Sequence, residues 1–180
     1  TGASSGQGAA EASLFAQAGA RVILTDIADE AGEAQAQAIR DSGGDAHYRH
    51  LDVASEDEWT SVIDGITTNF ETLNILINNA GGPPPGDFRN WNRDDWIKAL
   101  DANMLTGIFL IKAVVDGMIE REFGRIVNIT SAAVKSPIDI LGLSNGARAG
   151  LTGFCAGISR KTAVHNVTIN NILPGPFATG

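Results

Sequence analysis

Tyrosine occurs once in this 180-residue sequence, at Tyr48, and cysteine once, at Cys155. A single cysteine excludes an intrachain disulfide. With only three histidines, it also leaves no Cys/His grouping of the spacing a metal site needs. Cys155 stands at helical spacing among apolar residues and reads as a core position. Basic residues are few: 13 Lys and Arg against 21 Asp and Glu, a formal charge of −8. No clustered basic face is left to meet a nucleic-acid backbone. No unbroken apolar run approaches the roughly 20 residues that span a bilayer. The amino end is rich in glycine and is not built like a signal peptide. These absences exclude an internal disulfide and argue against a Cys/His metal cluster, a nucleic-acid partner and a membrane span. A soluble, reducing, cytoplasmic setting is expected.

What is present is alternation. Residues 8–18 read as a helix closed by Gly19, 20–26 as a strand, 29–41 as a polar helix and 46–53 as a second strand. Ser55 opens a helix, with Glu58 placed for a capping box. A strand over 73–81, a turn-rich loop over 81–88 and a long helix over 93–122 follow. The chain then gives a strand over 124–131, a helix over 143–164 and a strand over 167–175. Apolar strands alternating with helices predict an α/β protein, a doubly wound parallel sheet of the Rossmann kind with right-handed crossovers. No linker interrupts residues 1–180, so a single domain is expected. A further strand is expected before Thr1 and more chain after Gly180, so the sequence reads as a fragment of a longer protein.

The first eight residues, TGASSGQG, place Gly2, Gly6 and Gly8 around Ser4 and Ser5. Glycines there permit a tight turn and let backbone N–H groups approach a pyrophosphate, with the dipole of the following helix adding to the attraction. Asp26 closes the next strand, about 20 residues further on, where a carboxylate accepts hydrogen bonds from the adenosine ribose. A 2′-phosphate would meet like charge at Asp26, and neither the glycine turn nor the residues just after Asp26 carry Arg or Lys. NAD is therefore expected over NADP.

With these residues in view, the whole chain resembles the short-chain dehydrogenase/reductase family, of the kind labelled 3-oxoacyl-(acyl-carrier-protein) reductase. Thr1, Gly2, Gly6 and Gly8 match the family's cofactor turn. Asp52 and Val53 match its adenine contact, and Asn78-Asn79-Ala80-Gly81 its NNAG segment. Asn103 matches the asparagine of the family's proton relay, and Ser131 the catalytic serine. Pro174-Gly175 and Thr179 match the PG-x-x-x-T segment at the nicotinamide.

One departure is central. At the spacing where the family carries Tyr-x-x-x-Lys, this chain has Ser144 and Arg148. The resemblance implies that the tyrosine exchanges the proton while the lysine holds the nicotinamide ribose and lowers the tyrosine pKa. A serine hydroxyl is shorter and far less acidic. Arg148 keeps the charge and can donate hydrogen bonds to ribose hydroxyls, but it cannot act as a proton carrier. Lys135 and Asp139, in the loop between, are candidate substitutes that read more simply as solvated charges. His47, His50 and His165 are worse placed.

Two functions follow. One is an oxidoreductase moving hydride between nicotinamide and a carbonyl or secondary alcohol, with an atypical proton donor. The other is a cofactor-binding sensor or assembly protein without redox turnover. The resemblance also implies a homodimer or homotetramer. A stripe of Ala147, Leu151, Phe154 and Ile158 on the helix over 143–164 is a candidate contact.

Overall fold

The computed structural model describes residues 1–70 and 72–176. The chain divides into two compact units, one made of Thr1–Val62 and the other beginning at Ile63.

The first unit carries α1 (Gly6–Gln17), β1 (Arg21–Asp26), α2 (Asp29–Asp41) and β2 (Asp45–His50). β1 and β2 pair in parallel, from Arg21 opposite Asp45 to Asp26 opposite His50. A parallel pair needs a crossover, and α2 is that crossover. The core is built of small residues: Ala3, Ala12, Ala16, Ala36 and Ala46 pack with Leu24 and Ile39. Alanine at these positions lets the helices lie close to the strands. Gly32, inside α2, answers to the Tyr48 ring, since a Cβ there would stand 2.1 Å from Tyr48 Cε2. Gly19 closes α1 at a φ of 89°, which glycine adopts freely.

α3 (Glu56–Phe70) follows β2. The expected Ser55–Glu58 capping box is not made. The Ser55 N–H is taken by the Asp52 carbonyl at 2.9 Å. The Glu58 carboxylate reaches further back and accepts from the Asp52 N–H at 2.7 Å.

The second unit holds β3 (Ile75–Asn78), α4 (Arg93–Leu100), α5 (Thr106–Glu120), β4 (Gly124–Ile129), α6 (Gly142–Ala163) and β5 (Val167–Ile172). Its three strands run parallel in the order β3-β4-β5. β3 is shorter at both ends than the 73–81 reading, and β4 and β5 stop at Ile129 and Ile172, short of the expected 131 and 175.

The long helix expected over 93–122 is continuous but not uniform. Asn92 and Asp95 form a capping box at its start, and a π-helical turn over Asp101–Leu105 joins α4 to α5. By length and composition alone, Arg93–Glu120 could cross a membrane, although charged residues interrupt its apolar runs. One face of it is buried through Leu110, Ile111, Val114 and Met118, and α5 packs on α6 and β4, so within this fold it is a core helix.

Candidate active site

Cofactor-type residues of the first unit gather at the carboxyl end of β1, where ligands bind in open α/β sheets. Gly2 and Gly6 hold positive φ values of 59° and 53°. A side chain at either would be strained in that turn. The N-cap of α1, Ser5, makes no side-chain capping bond, so the first-turn N–H groups are not spent on a cap and suit an anionic oxygen. Gly8 is buried within α1. The Ser4 N–H donates to Asp26 Oδ2 at 3.0 Å, and the Ala28 N–H to Oδ1 at 3.1 Å. Partial burial disfavours the Asp26 charge. Hydrogen bonds from Ser4, Ala28 and Ile27 outweigh it and hold the carboxyl below the usual carboxylate range. Asp26 is thus a fixed anion at a strand end.

Behind it, the Tyr48 hydroxyl, with one hydrogen to share between them, lies 2.6 Å from the Asp26 carbonyl oxygen and 2.8 Å from Asp29 Oδ1. His50 Nδ1 lies 2.7 Å from the same Asp29 oxygen. Burial, joined by the Asp29 carboxylate, raises the Tyr48 pKa far above its ordinary value, which removes the chain's one tyrosine as a proton donor. Asp52 is exposed, with Oδ1 accepting from the Ala54 N–H at 2.9 Å. Val53 is half-buried in the turn that follows.

The second unit brings together residues from four segments through one side chain. Arg148, on α6, donates from Nη1 to the Thr130 carbonyl and from Nη2 to the Ala80 carbonyl at 3.3 Å. It donates from Nε and Nη2 to Asn103 Oδ1 at 3.3 and 3.1 Å. A guanidinium has five N–H bonds, so one Nη1 hydrogen is left over. Among the described residues no carboxylate pairs with Arg148. Burial lowers its pKa from a very high starting value, and it remains a cation.

Asn103 sits in the π-helical turn and is buried. Such bulges change which side chain faces inward and recur at functional sites. Ser131 caps a short 3-10 turn, its Oγ accepting from the Ala133 N–H at 3.1 Å. The Ala132 N–H donates to the Pro174 carbonyl at 2.9 Å, which sets Ser131 beside Pro174-Gly175. Thr179 lies outside the described residues. Ser144, one helical turn before Arg148, is buried, and its hydroxyl makes no hydrogen bond among the described residues. Asn79 is half-buried and Gly81 exposed at the end of β3.

Two glycines flank Ser144 on α6. A Cβ at Gly142 would stand 2.7 Å from Trp91, and one at Gly146 would stand 3.1 Å from Trp96. The two indoles meet edge to face, 6.0 Å between centroids. The Gly86 N–H donates to the Ile140 carbonyl at 2.8 Å, tying the loop after β3 to the segment that leads into α6. A cavity of about 320 Å³ opens here, lined by Gly81, Gly82, Pro83, Trp91, Asn103 and Leu143 among others.

Lys135 and Asp139 are exposed, and Asp139 Oδ1 accepts from the Ile140 N–H at 2.8 Å. His165 is exposed in the turn after α6. Cys155 is buried in the core, where burial pushes its thiol up to about 11. Among the described residues no group of His, Cys, Asp or Glu is arranged to hold a metal ion. Of the stripe on α6, Ala147 and Leu151 are buried in the unit's own core, and Phe154 and Ile158 are half-buried.

Sequence reasoning missed an asparagine ladder across the second sheet. Asn78 Nδ2 donates to Asn128 Oδ1 at 2.8 Å, and Asn128 Nδ2 donates to Asn171 Oδ1 at 3.1 Å. The available signal was a polar residue inside the apolar run IVNIT. The Thr130 carbonyl that receives Arg148 had no signal, because a backbone acceptor has no residue type.

The chain matches the short chain dehydrogenase family over residues 1–180. It belongs to that family. It is 37% identical to the 3-oxoacyl-(acyl-carrier-protein) reductase of Vibrio cholerae, over 99% of this chain and 72% of the relative. A 7 alpha-hydroxysteroid dehydrogenase solved with NADH and 7-oxo glycochenodeoxycholic acid superposes with a TM-score of 0.94 at 29% identity, covering 99% of this chain and 70% of the other. A metagenomic short-chain oxidoreductase solved with NADP gives a TM-score of 0.92 at 28% identity, covering 97% and 80%. The fold is the α/β, parallel-sheet Rossmann fold of the short-chain oxidoreductases.

Proposed function

We propose that this protein is an NAD(H)-dependent oxidoreductase, similar to the 3-oxoacyl reductases, acting on a carbonyl or secondary alcohol with an atypical proton donor. The observation that carries this reading is the Asp26 carboxylate, fixed by the Ser4 and Ala28 N–H groups at the strand end. Its two oxygens suit the paired ribose hydroxyls of NAD, and its charge opposes a 2′-phosphate. The strained glycine turn and the uncapped start of α1 fit a pyrophosphate. In this reading both units belong to one NAD(P)-binding domain, which works in the cytoplasm as a homodimer or homotetramer.

A bound nicotinamide supplies or accepts the hydride. The chain's own residues arrange the oxygen end. Ser131 and Ser144 are the hydroxyls available to polarise a substrate oxygen, and the Ser144 hydroxyl is uncommitted among the described residues. Arg148 fixes Asn103 and the ends of β3 and β4 and spares one N–H for a ribose hydroxyl. It cannot deliver a proton near neutral pH, so water or a substrate group supplies it. Loss of a dedicated general acid costs about 10²–10⁴-fold, which leaves the contribution of positioning intact.

A second reading, a cofactor-binding sensor or assembly protein without turnover, is favoured by that same missing acid. Following NADH absorbance with a panel of ketones and secondary alcohols, alongside calorimetric NADH titration, separates the two. Binding without oxidation across the panel selects the second reading, and neither binding nor oxidation overturns both.

A further inference from the structure

We propose that the cavity beside Asn103 takes a substrate bearing a carboxylate, so that the carbonyl compound reduced is a keto acid and the alcohol oxidised a hydroxy acid. This rests on the oxidoreductase reading above and names its substrate class.

The polar groups on the cavity's lining residues select what it can hold. Most of its wall is apolar, with Pro83, Pro84, Trp91, Ala99, Ala102 and Leu143. Three lining residues carry strong polar groups, Asp95, Lys98 and Asn103. They lie on one face of the α4 run at spacings of three to five residues.

Asn103 is oriented by its neighbour. A guanidinium only donates, so the atom that receives Nε and Nη2 of Arg148 has to be the amide oxygen. The end of Asn103 that remains free is Nδ2, a donor. Asp95 is already engaged: its Oδ2 accepts from the Asn92 N–H at 2.9 Å in the capping box. It also sits in the first turn of α4, where the helix N-terminus offsets a negative charge. Lys98, one turn later, has no ion pair and no hydrogen bond among the described residues. The Trp91 indole N–H is likewise without an acceptor there.

Apart from the second Asp95 oxygen, the groups on these lining residues left without a hydrogen-bond partner among the described residues are donors: an ammonium, an amide NH₂ and an indole N–H. A neutral ketone has a single acceptor and leaves the ammonium unused. A keto acid adds two charged acceptor oxygens, and hydrogen bonds to a charged group are about twice as strong as neutral ones. In a chain of net charge −8, the long-range field opposes anions, so a local unpaired cation is the feature that can reverse the preference.

Trp91 in the wall provides a readout that needs no turnover. Tryptophan fluorescence of the full-length protein with saturating NAD⁺ is titrated with cyclohexanone and with 3-oxocyclohexane-1-carboxylate. The keto acid is expected to bind about tenfold more tightly than the ketone, equivalent to about 1.4 kcal/mol. Lys98→Met is expected to abolish that preference and Lys98→Glu to invert it, with melting temperatures recorded to show that each variant is folded. Added salt should narrow the gap in the wild type.

Equal affinities, tighter binding of the ketone, no keto-acid binding at millimolar concentration, or a preference that survives Lys98→Glu would each overturn the proposal. The oxidoreductase reading fails separately: a Lys98-dependent keto-acid preference with no NADH oxidation removes the activity and leaves the site. Turnover of neutral ketones with no carboxylate preference removes the site and leaves the activity.

Discussion

Arg148 grips Asn103 with two of its nitrogens, Nε at 3.3 Å and Nη2 at 3.1 Å from the same amide oxygen. The contact joins α6 to the π-helical turn between α4 and α5. The same guanidinium holds the Thr130 and Ala80 carbonyls at the ends of β4 and β3. A lysine offers three hydrogens on one nitrogen and cannot span these acceptors together. Arginine at this position is a brace across four segments as well as a charge.

The first prediction concerns that brace. Arg148→Ala leaves two carbonyls and an amide oxygen without their donor, and unsatisfied buried acceptors cost about 1–3 kcal/mol. A lower melting temperature and weaker NADH binding are expected together. Arg148→Lys should show a smaller defect in both, since the charge and one or two hydrogen bonds are kept. Thermal melts and calorimetric NADH titrations of the two variants are the measurements. An Arg148→Ala variant that melts and binds NADH like the parent would contradict the assignment.

The second concerns cofactor choice. Asp26 is held ionised by the Ser4 and Ala28 N–H groups. The full-length protein should bind NADH at least about tenfold more tightly than NADPH, since a like charge at the 2′-position is unfavourable. Asp26→Ser should narrow the ratio, chiefly by improving NADPH. Equal affinities in the parent would refute it.

The third is a pH dependence. His50 is raised above its ordinary pKa, first by its hydrogen bond to Asp29 and then by the nearby charges of Asp29, Glu58 and Asp52. Asp29 is lowered, first by its hydrogen bonds from His50 and Tyr48. A raised histidine contributes stability that is complete below its unfolded value of about 6.5 and fades as pH rises through the folded value. A lowered carboxyl contributes above about 3.9 and loses it as pH falls through the folded value. The pair therefore stabilises from mildly acidic pH to somewhat above 6.5. Both groups are exposed, so the effect is small. Melting curves of the parent and His50→Gln should differ most near pH 6 and converge by about pH 9. A constant offset across that range would count against the pairing.

How far the sequence reached depended on what kind of signal each feature leaves. The order of elements was legible because strand and helix periodicities differ, and α2 falls on Asp29–Asp41 as its pattern implied. The family was legible from the glycine turn, NNAG and PG in order. The π-helical turn was not, because a one-residue shift of helical phase carries no residue type of its own. The Ser55–Glu58 box was read from a local pattern, and another local donor, the Asp52 N–H in the turn before α3, took the Glu58 carboxylate. The stripe of Ala147, Leu151, Phe154 and Ile158 had two meanings: Ala147 and Leu151 are buried in the unit's core while Phe154 and Ile158 are half-buried, and apolar spacing alone does not divide them.

The last prediction returns to the position where the family has its tyrosine. Ser144 is buried on α6 between Gly142, covered by Trp91, and Gly146, covered by Trp96. Ser144→Ala should leave NADH affinity nearly intact and lower turnover by roughly the modest factor that one polarising hydrogen bond provides. Ser144→Tyr alone places a phenol near an arginine already committed to Asn103, Thr130 and Ala80, without the lysine that tunes it. Its turnover should rise little. Ser144→Tyr with Arg148→Lys restores an acid that general acid–base catalysis values at about 10²–10⁴-fold. Carbonyl reduction should increase, with a new pH dependence that neither single variant shows. The ring has to enter beside two indoles, and overpacking costs about 1–3 kcal/mol, so the double variant is expected to melt below the parent even as its rate rises. Steady-state rates between pH 6 and 10, with melting temperatures for all four proteins, test this. A folded double variant with no gain in rate and no new titration would show that Ser144 does not stand where the substrate oxygen is protonated.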